Sequence, residues 1–336
     1  MNAASPKPPA PLRWEAHTCL PLHPEANFDA LERYRQLGVH YVSINVGMDM
    51  NPLGQILPVV AAFRARLAEA PERFVLPHTV ADVEHARDTQ RLAVGFDLEG
   101  ALPLLDAPEM VALWRDLGVR QIHFAYNRNN AVAGGCHDVP QGLTALGRRM
   151  VDAVNAAGVL IDCAHTERKT TLDIMAHSRH PVVFSHANPL ALVEHGRNIS
   201  DEQIRACAAT DGVVCLSGVS VFLGADRPTA TDVARHVAHV ADLVGAQHAG
   251  IGLDIGFAQA GLNDDPPPPF DASHWWPASA GYGQGIRGIT YAPQDSWLEL
   301  PTALAALGMD ESEIAGVLGE NMARVARQVW SHNAIA

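Results

Sequence analysis

Eight short β-branched runs, each followed by a polar loop and a helix-like stretch, predict an α/β protein, a (β/α)8 TIM barrel in a single domain. Two further observations point the same way. Several helical stretches return to the next strand through glycine, as in LGV (37–39), LGV (117–119) and AGV (157–159), where Gly supplies the left-handed cap that turns a helix back into a strand. In addition, no G-x-G-x-x-G follows the first strand, which argues against an open dinucleotide-binding sheet; the GIG at Gly250–Gly252 lies inside the last strand and cannot be a phosphate turn.

The elements follow in order. The first strand is Arg13–Cys19 (RWEAHTC), with a helix over Phe28–Leu37; the second is Val39–Gly47, with helices over Leu57–Glu69 and Val80–Arg91. The third strand, Leu92–Glu99, precedes a helix over Pro108–Leu117, and the fourth, Val119–Tyr126, precedes one over Leu143–Ala157. Val159–His165, Pro181–His186, Gly212–Val219 and Ala249–Asp254 are strands five to eight, separated by helices over Thr170–His177, Asp201–Thr210 and Ala230–Gly245. The strands are short apolar runs, whereas the helices carry apolar residues at a spacing near 3.6. Residues 255–294, with Pro266–Pro269, are too rich in Pro and Gly for a regular element; a loop of that length is expected to cover a site. Helices over Asp295–Leu307 and Asp310–Trp330 close the domain, assigned to residues 13–332, behind a disordered Pro-rich tail over 1–12.

Of the 336 residues, 48% are hydrophobic and 18% charged, which argues against disorder. A net charge of −13 leaves no basic surface for nucleic acid or an anionic membrane. The N-terminal segment has four prolines and no apolar core, so no signal peptide is expected, and no apolar run reaches the ~20 residues of a spanning helix. Five widely spaced cysteines, an odd number without a CxxC, argue against a disulfide framework and suit a cytoplasmic location.

Barrel enzymes carry their chemistry at the C-terminal ends of the strands. Here those ends read His17-Thr18-Cys19, Asp97-Leu98-Glu99-Gly100, Tyr126-Asn127, Asp162-Cys163-Ala164-His165, Ser185-His186 and Asp254. One histidine ending a strand is ordinarily a hydrogen-bonded structural residue. Five strands ending in His, Glu, Cys and Asp are a different matter, because a metal satisfies all these buried groups together. Other clusters carry less. Cys136-His137-Asp138 could mimic a protease dyad, but adjacent Cys and His rarely aim at each other; it is assigned to the loop after the fourth strand. His236 and His239, with no acidic companion, are assigned to a solvated helix face. Trp275 and Trp276 either wall a pocket or anchor their loop, and Cys163 is given no role.

At these residues the chain resembles the renal (membrane) dipeptidase family of metal-dependent amidohydrolase barrels. LIDCAH, PVVFSHAN and GRNISDE within Gly142–Asp201, the Glu-Gly after the third strand, IGLD in the eighth and LGENMARV (318–325) carry the resemblance, which runs from about His17 to the last helix. It implies a binuclear zinc centre in which Glu99 bridges two ions, His17 and the residue two further on hold one, and His165 and His186 hold the other. It further implies that Asp254 moves the proton between a zinc-bound hydroxide and the leaving amine, and that Arg197 grips the carboxylate of a dipeptide. Asn129, in the YNRNN segment, joins Arg197 and Tyr126 as a candidate substrate contact. A homodimer is allowed by the same analogy.

Two departures stand out. The family's His-x-Asp reads His17-Thr18-Cys19 here. Cys19 either binds zinc as a thiolate, or sits beside an ion that is then held weakly, or is an inert buried thiol; with it bound two ions are expected, without it one. The family's substrate-polarising histidine is Tyr126, whose hydroxyl can still donate to an oxyanion. The expected activity is a zinc-dependent dipeptidase acting on small dipeptides, with a D-residue allowed at the C-terminal side. Two alternatives stay open: an amidohydrolase for a non-peptide amide, lactam or cyclic imide, and a non-catalytic barrel.

Overall fold

A computed structural model describes residues 10–283 and 285–330. Its sheet contains nine parallel strands: β1 (Trp14–Thr18), β2 (Tyr41–Met48), β3 (Phe74–Val75), β4 (Leu92–Glu99), β5 (Val119–His123), β6 (Leu160–Asp162), β7 (Val182–Phe184), β8 (Val213–Leu216) and β9 (Ala249–Ile251). Eight of them run in the order β1-β2-β4-β5-β6-β7-β8-β9, and these are the eight strands the sequence predicts. Beyond β9 the chain meets β1 again: Asp254 N–H donates to the His17 carbonyl (3.1 Å), Cys19 N–H to Ile255 (3.0 Å) and Phe257 N–H to Cys19 (2.9 Å). The barrel therefore closes, as the alternation of elements predicts.

Period-two geometry divides the strands into two faces. Val42, Ile44, Val94, Phe96, Leu98, Ile122, Phe184 and Leu216 join the large apolar layer between barrel and helices. The opposite face begins apolar at one end, with Trp14, Tyr41, Ala93, Leu160, Val183 and Val213 packed against Met322, Val325 and Trp330 of the last helix. Two to six residues further along the same face stand Ser43, Asn45, Asp97, Glu99, Gln121, His123, Asp162 and Ser185, all buried. The inner column thus runs from a greasy plug to a polar mouth.

Several details differ from the sequence reading, among them two four-residue helices, Ser220–Leu223 and Ala272–Trp275, the second inside the segment expected to hold no regular element. β3, which was not expected, is a two-residue strand beside β4 off the barrel path; it is too short to show an apolar period. The helix expected over Asp310–Trp330 is two helices, Glu311–Leu318 and Glu320–Trp330. They part at Gly319, where a Cβ would lie 2.4 Å from the Leu12 carbonyl oxygen. Leu12 itself is fully buried and its N–H donates to Glu320 Oε1 (2.7 Å), so the packed chain starts before residue 13. Of the tail assigned to 1–12, residues 1–9 lie outside the described residues, as do 331–332. The cap glycines Gly38, Gly118 and Gly158 all have positive φ (73°, 107° and 65°). Among the described residues no helix is long and apolar enough to cross a membrane.

Candidate metal centre

The polar mouth gathers around one atom, Oε1 of Glu99. His165 Nε2 lies 3.0 Å from it, His17 Nε2 3.4 Å, His186 Nε2 3.6 Å and His123 Nδ1 3.9 Å. The other oxygen, Oε2, accepts from the Asn45 amide. Cys19 Sγ stands 3.4 Å from His17 Nε2, and His186 Nε2 is 2.9 Å from His165 Nε2. Tetrahedral zinc with ~2.0–2.1 Å bonds places neighbouring nitrogen or oxygen ligands about 3.3 Å apart, with sulfur slightly further. His17–Cys19–Glu99 and Glu99–His165–His186 both match that spacing.

Outer partners set the rings. His17 Nδ1 faces Asp97 Oδ2 (3.2 Å), which also accepts from Ser43 Oγ (2.6 Å). His165 Nδ1 faces Asn127 Oδ1 (2.7 Å), whose amide donates to the Trp275 carbonyl (3.0 Å) and so fixes which end is oxygen. These acceptors hold the outer ring nitrogen and turn the other inward, the orientation a metal ligand needs. His186 Nδ1 lies 2.7 Å from Ser185 Oγ. Burial, reinforced by neighbouring cations, holds His165 and His186 well below the usual imidazole range, hence neutral. Burial also opposes charge on His17, but Asp97 and Glu99 outweigh it and raise its pKa well above normal. The Glu99 carboxyl is pushed up to about 7 by burial, against the pull of His17 and His123. Burial raises the Cys19 thiol to about 12, so deprotonating it takes a cation placed against the sulfur. The donor set fits divalent zinc: imidazoles, of which His165 and His186 are held neutral, a carboxylate and a thiol.

Strain accompanies these positions. His165, Asp254 and Asn127 all have left-handed backbones (φ 63°, 58° and 58°) although none is glycine. Each such residue costs about 1–3 kcal/mol, and all three point side chains into the mouth. Asp254 lies 3.8 Å from His17 Nε2, partly exposed, with its pKa raised by burial against the pull of His17.

The remaining candidates fall on the rim. The Tyr126 ring stacks on His165 (centroids 4.1 Å apart), and its hydroxyl oxygen accepts from Trp276 Nε1 (3.1 Å). Burial holds that phenol well above its ordinary pKa, so it keeps its proton. Trp276 ties its loop to the Tyr126 hydroxyl. Arg197 is 3% exposed; its Nη2 donates to the His186 carbonyl (3.1 Å), it lies 5.3 Å above the Phe222 ring, and its Nε has no hydrogen-bond partner. It borders a cleft of about 620 Å³ that also reaches Cys136, His165, His195 and Gly281. Asn129, by contrast, is spent within its own loop: its Oδ1 accepts from Gly135 N–H (3.0 Å) and its amide donates to Val139 (3.1 Å). The asparagine of that segment that enters the mouth is Asn127. Cys136 directs its thiol at Asn127, while His137 turns to Tyr282 (2.9 Å), so no dyad forms. His239 pairs with Asp201 (2.9 Å), and His236 is fully buried rather than solvated, because its side of the helix packs into the core.

Sequence reasoning placed Asp97 and Asp162 at strand ends without giving them a role, and did not single out His123. All are fully buried on the inner face, with His123 Nε2 2.5 Å from Asp162 Oδ2. The signal was available: each lies an even number of residues from another inward side chain.

Comparisons with known proteins bear on the family and the fold. A family model described as membrane dipeptidase, peptidase family M19, matches residues 23–266. Dipeptidase verJ of Clonostachys rogersoniana is 31% identical over 199 residues, 57% of this chain and 51% of that one. Dipeptidase tcpJ of Claviceps purpurea is 27% identical over 263 residues, 77% of this chain and 56% of that one. The chain spans about half the length of the curated relatives it matches. An amidohydrolase from Pseudomonas aeruginosa superposes with a TM-score of 0.83 at 24% identity, covering 96% of this chain and 97% of that one. A metallo peptidase from Rhodobacter sphaeroides, liganded with a phosphinate mimic of the dipeptide L-Ala-D-Ala, gives 0.75 at 21% identity over 96% of this chain and 100% of that one. At these identities the structural likeness is one of fold.

Proposed function

The chain belongs to the membrane dipeptidase family, peptidase family M19, and on that premise we propose that it is a zinc-dependent dipeptidase acting on small dipeptides, including those with a C-terminal D-residue. One observation carries the reading: a buried guanidinium with an unused Nε, Arg197, beside a cluster of metal-type donors. A buried cation of this kind calls for an anion, and a dipeptide's terminal carboxylate supplies one at a fixed distance from its amide. The Rhodobacter protein, whose ligand mimics L-Ala-D-Ala, supports the choice of substrate.

His17, Cys19 and Glu99 would hold one ion, and Glu99, His165 and His186 the other. When bound, such ions supply a water acidified towards neutrality and polarise the amide carbonyl. The protein's own groups do the rest. Arg197 orients the carboxylate through a planar fork. Tyr126, protonated and held by Trp276 and His165, donates to the oxygen that becomes negative. Asp254, partly exposed beside His17, takes the proton of the attacking water and delivers it to the departing amine. The loop carrying Trp276 and Tyr282 limits water around the reacting amide.

The test combines elemental analysis of protein purified without chelators with turnover of a panel of L,L- and L,D-dipeptides and their C-terminal amides. Near two ions per chain, with cleavage of free dipeptides over amides, is the expected result. Absence of cleavage across the panel overturns the reading; cleavage of a cyclic imide instead would favour the branch that the Cys19 departure suggests.

A further inference from the structure

Four imidazoles, not three, turn a ring nitrogen towards Glu99 Oε1. The fourth, His123, repeats the pattern of the others in every respect that matters for binding a cation. It is fully buried on the inner face of β5. Its outer nitrogen, Nε2, is 2.5 Å from Asp162 Oδ2, and Ser185 Oγ lies 3.4 Å from the same atom. Its inner nitrogen, Nδ1, has no hydrogen-bond partner and lies 3.9 Å from Glu99 Oε1. Asp162 is itself pinned, accepting through Oδ1 from the N–H groups of Ala164 (2.9 Å) and Ser185 (3.1 Å). Carboxylate–histidine pairs that leave one buried nitrogen bare are the outer-shell arrangement of metal-ligating histidines. The orphaned Nδ1 costs about 1–3 kcal/mol, and here, unlike at a core histidine, it faces a carboxylate and two other imidazoles across a space a cation would fill.

The rings also fit together. His123, His17 and His186 offer one nitrogen each, all within 4.8 Å of one another, and none of the three is exposed. Cys19, which replaces a carboxylate in the resemblance, stands at the more open side. We propose that His123 is a metal ligand, and that His17, His123 and His186 form a three-imidazole position at the floor of the centre that binds a borderline divalent ion without help from Cys19. Three imidazole nitrogens suit zinc or cobalt. This rests on reading the cluster as a metal centre; it adds a ligand to that reading and a position for the first ion that shares His17 and His186 with the two ion positions above, and so is an alternative to them rather than a third site.

The probe is cobalt(II), titrated into chelator-stripped protein and followed by its visible d–d absorption, with zinc competition giving affinity. Wild type, Cys19→Ser, His123→Gln and Asp162→Asn are compared, each checked for folding by circular dichroism. The expected result is that Cys19→Ser keeps a tight first equivalent with an unchanged first-equivalent spectrum. His123→Gln should lose that spectrum and weaken the first equivalent more than Asp162→Asn, which loses about 10–100-fold. Unchanged affinity and spectrum in a folded His123→Gln overturn the proposal. Should that variant not fold, nitrogen-15 histidine spectra of the wild type decide: His123 Nδ1 must shift when the first zinc binds, and an unmoved resonance overturns it. Wild type that binds no cobalt or zinc would instead remove the metal-centre reading itself, whereas dipeptide turnover does not enter this comparison.

Discussion

Replacing Tyr126 with Phe separates a catalytic hydroxyl from an aromatic that only packs beneath a loop. The ring's stack on His165 survives the change; only the oxygen is lost. Two consequences follow from its contacts. If the phenol donates to the developing oxyanion, its removal costs about 2.7–4 kcal/mol in the transition state, or roughly 10²–10³-fold in kcat. Separately, Trp276 Nε1 loses its acceptor at 3.1 Å and becomes an orphaned buried donor, worth about 1–3 kcal/mol of stability. For a chain of this size that is about 1–4 °C in Tm. The two effects come apart in Tyr126→Phe/Trp276→Phe, where the orphaned donor is gone. Stability should partly recover there while kcat stays low. The assay is steady-state hydrolysis of a good dipeptide beside thermal unfolding of all three variants. A kcat that is unchanged in Tyr126→Phe, or that recovers along with Tm in the double variant, would refute the donor role and leave Tyr126 as packing.

Three other outcomes are expected. Asp254→Asn should lower kcat by about 10²–10⁴-fold while elemental analysis finds the wild-type metal content; normal turnover would remove Asp254 from proton transfer. Arg197→Met should cost about 2–5 kcal/mol in kcat/KM, mainly through KM, for dipeptides with a free carboxylate and much less for their amides, and an equal loss on both substrates would argue against carboxylate recognition. The third concerns pH. Burial, with Arg235 and His239 nearby, holds His236 down to about 4 from an ordinary 6.5. As pH falls through 6.5 the unfolded chain takes up a proton that the fold refuses, so this stability is present above 6.5 and is lost progressively towards 4. Between pH 7.5 and 5 the loss is about 2 kcal/mol. Denaturant unfolding of His236→Leu should show a correspondingly flatter pH dependence, and parallel curves for the two proteins would contradict it.

What was legible in the sequence follows from where specificity is written. The eight barrel strands could be read because each is a short run rich in β-branched and aromatic residues, buried on both faces, and several are preceded by glycine caps, as at Gly158. β3 could not, since two residues carry no period. The strand-end residues His17, Glu99, His165, His186 and Asp254 could be read because residue type and position coincide there. His123 was hidden for a reason that is equally physical. It lies inside the strand the sequence predicts, Val119–Tyr126, whereas β5 ends at His123 itself; its neighbours Ile122 and Phe124 face the outer layer, and the register of Gln121 with Leu160 and His123 with Asp162 shows that it looks into the mouth. Applied to β4, the same register links Glu99 to Asp97 and Gly95, while the missing side chain at Gly95 admits the Tyr41 ring.

Asn129 and Asn127 mark the opposite limit. Nothing in the letters YNRNN distinguishes them. Asp138 and Gly135 bind the backbone and side chain of Asn129, while a left-handed turn at Asn127 sends that residue to His165. Tertiary contacts with residues that follow in the same loop decide which asparagine faces the centre. Such a turn is sterically unfavourable for a residue with a Cβ, and it persists because Trp275, Cys136 and His165 all hold the Asn127 amide in place. The strain at the strand ends and the polar mouth therefore depend on one another: the same hydrogen bonds that hold Asn127 in its left-handed turn fix the ring of His165 as a donor.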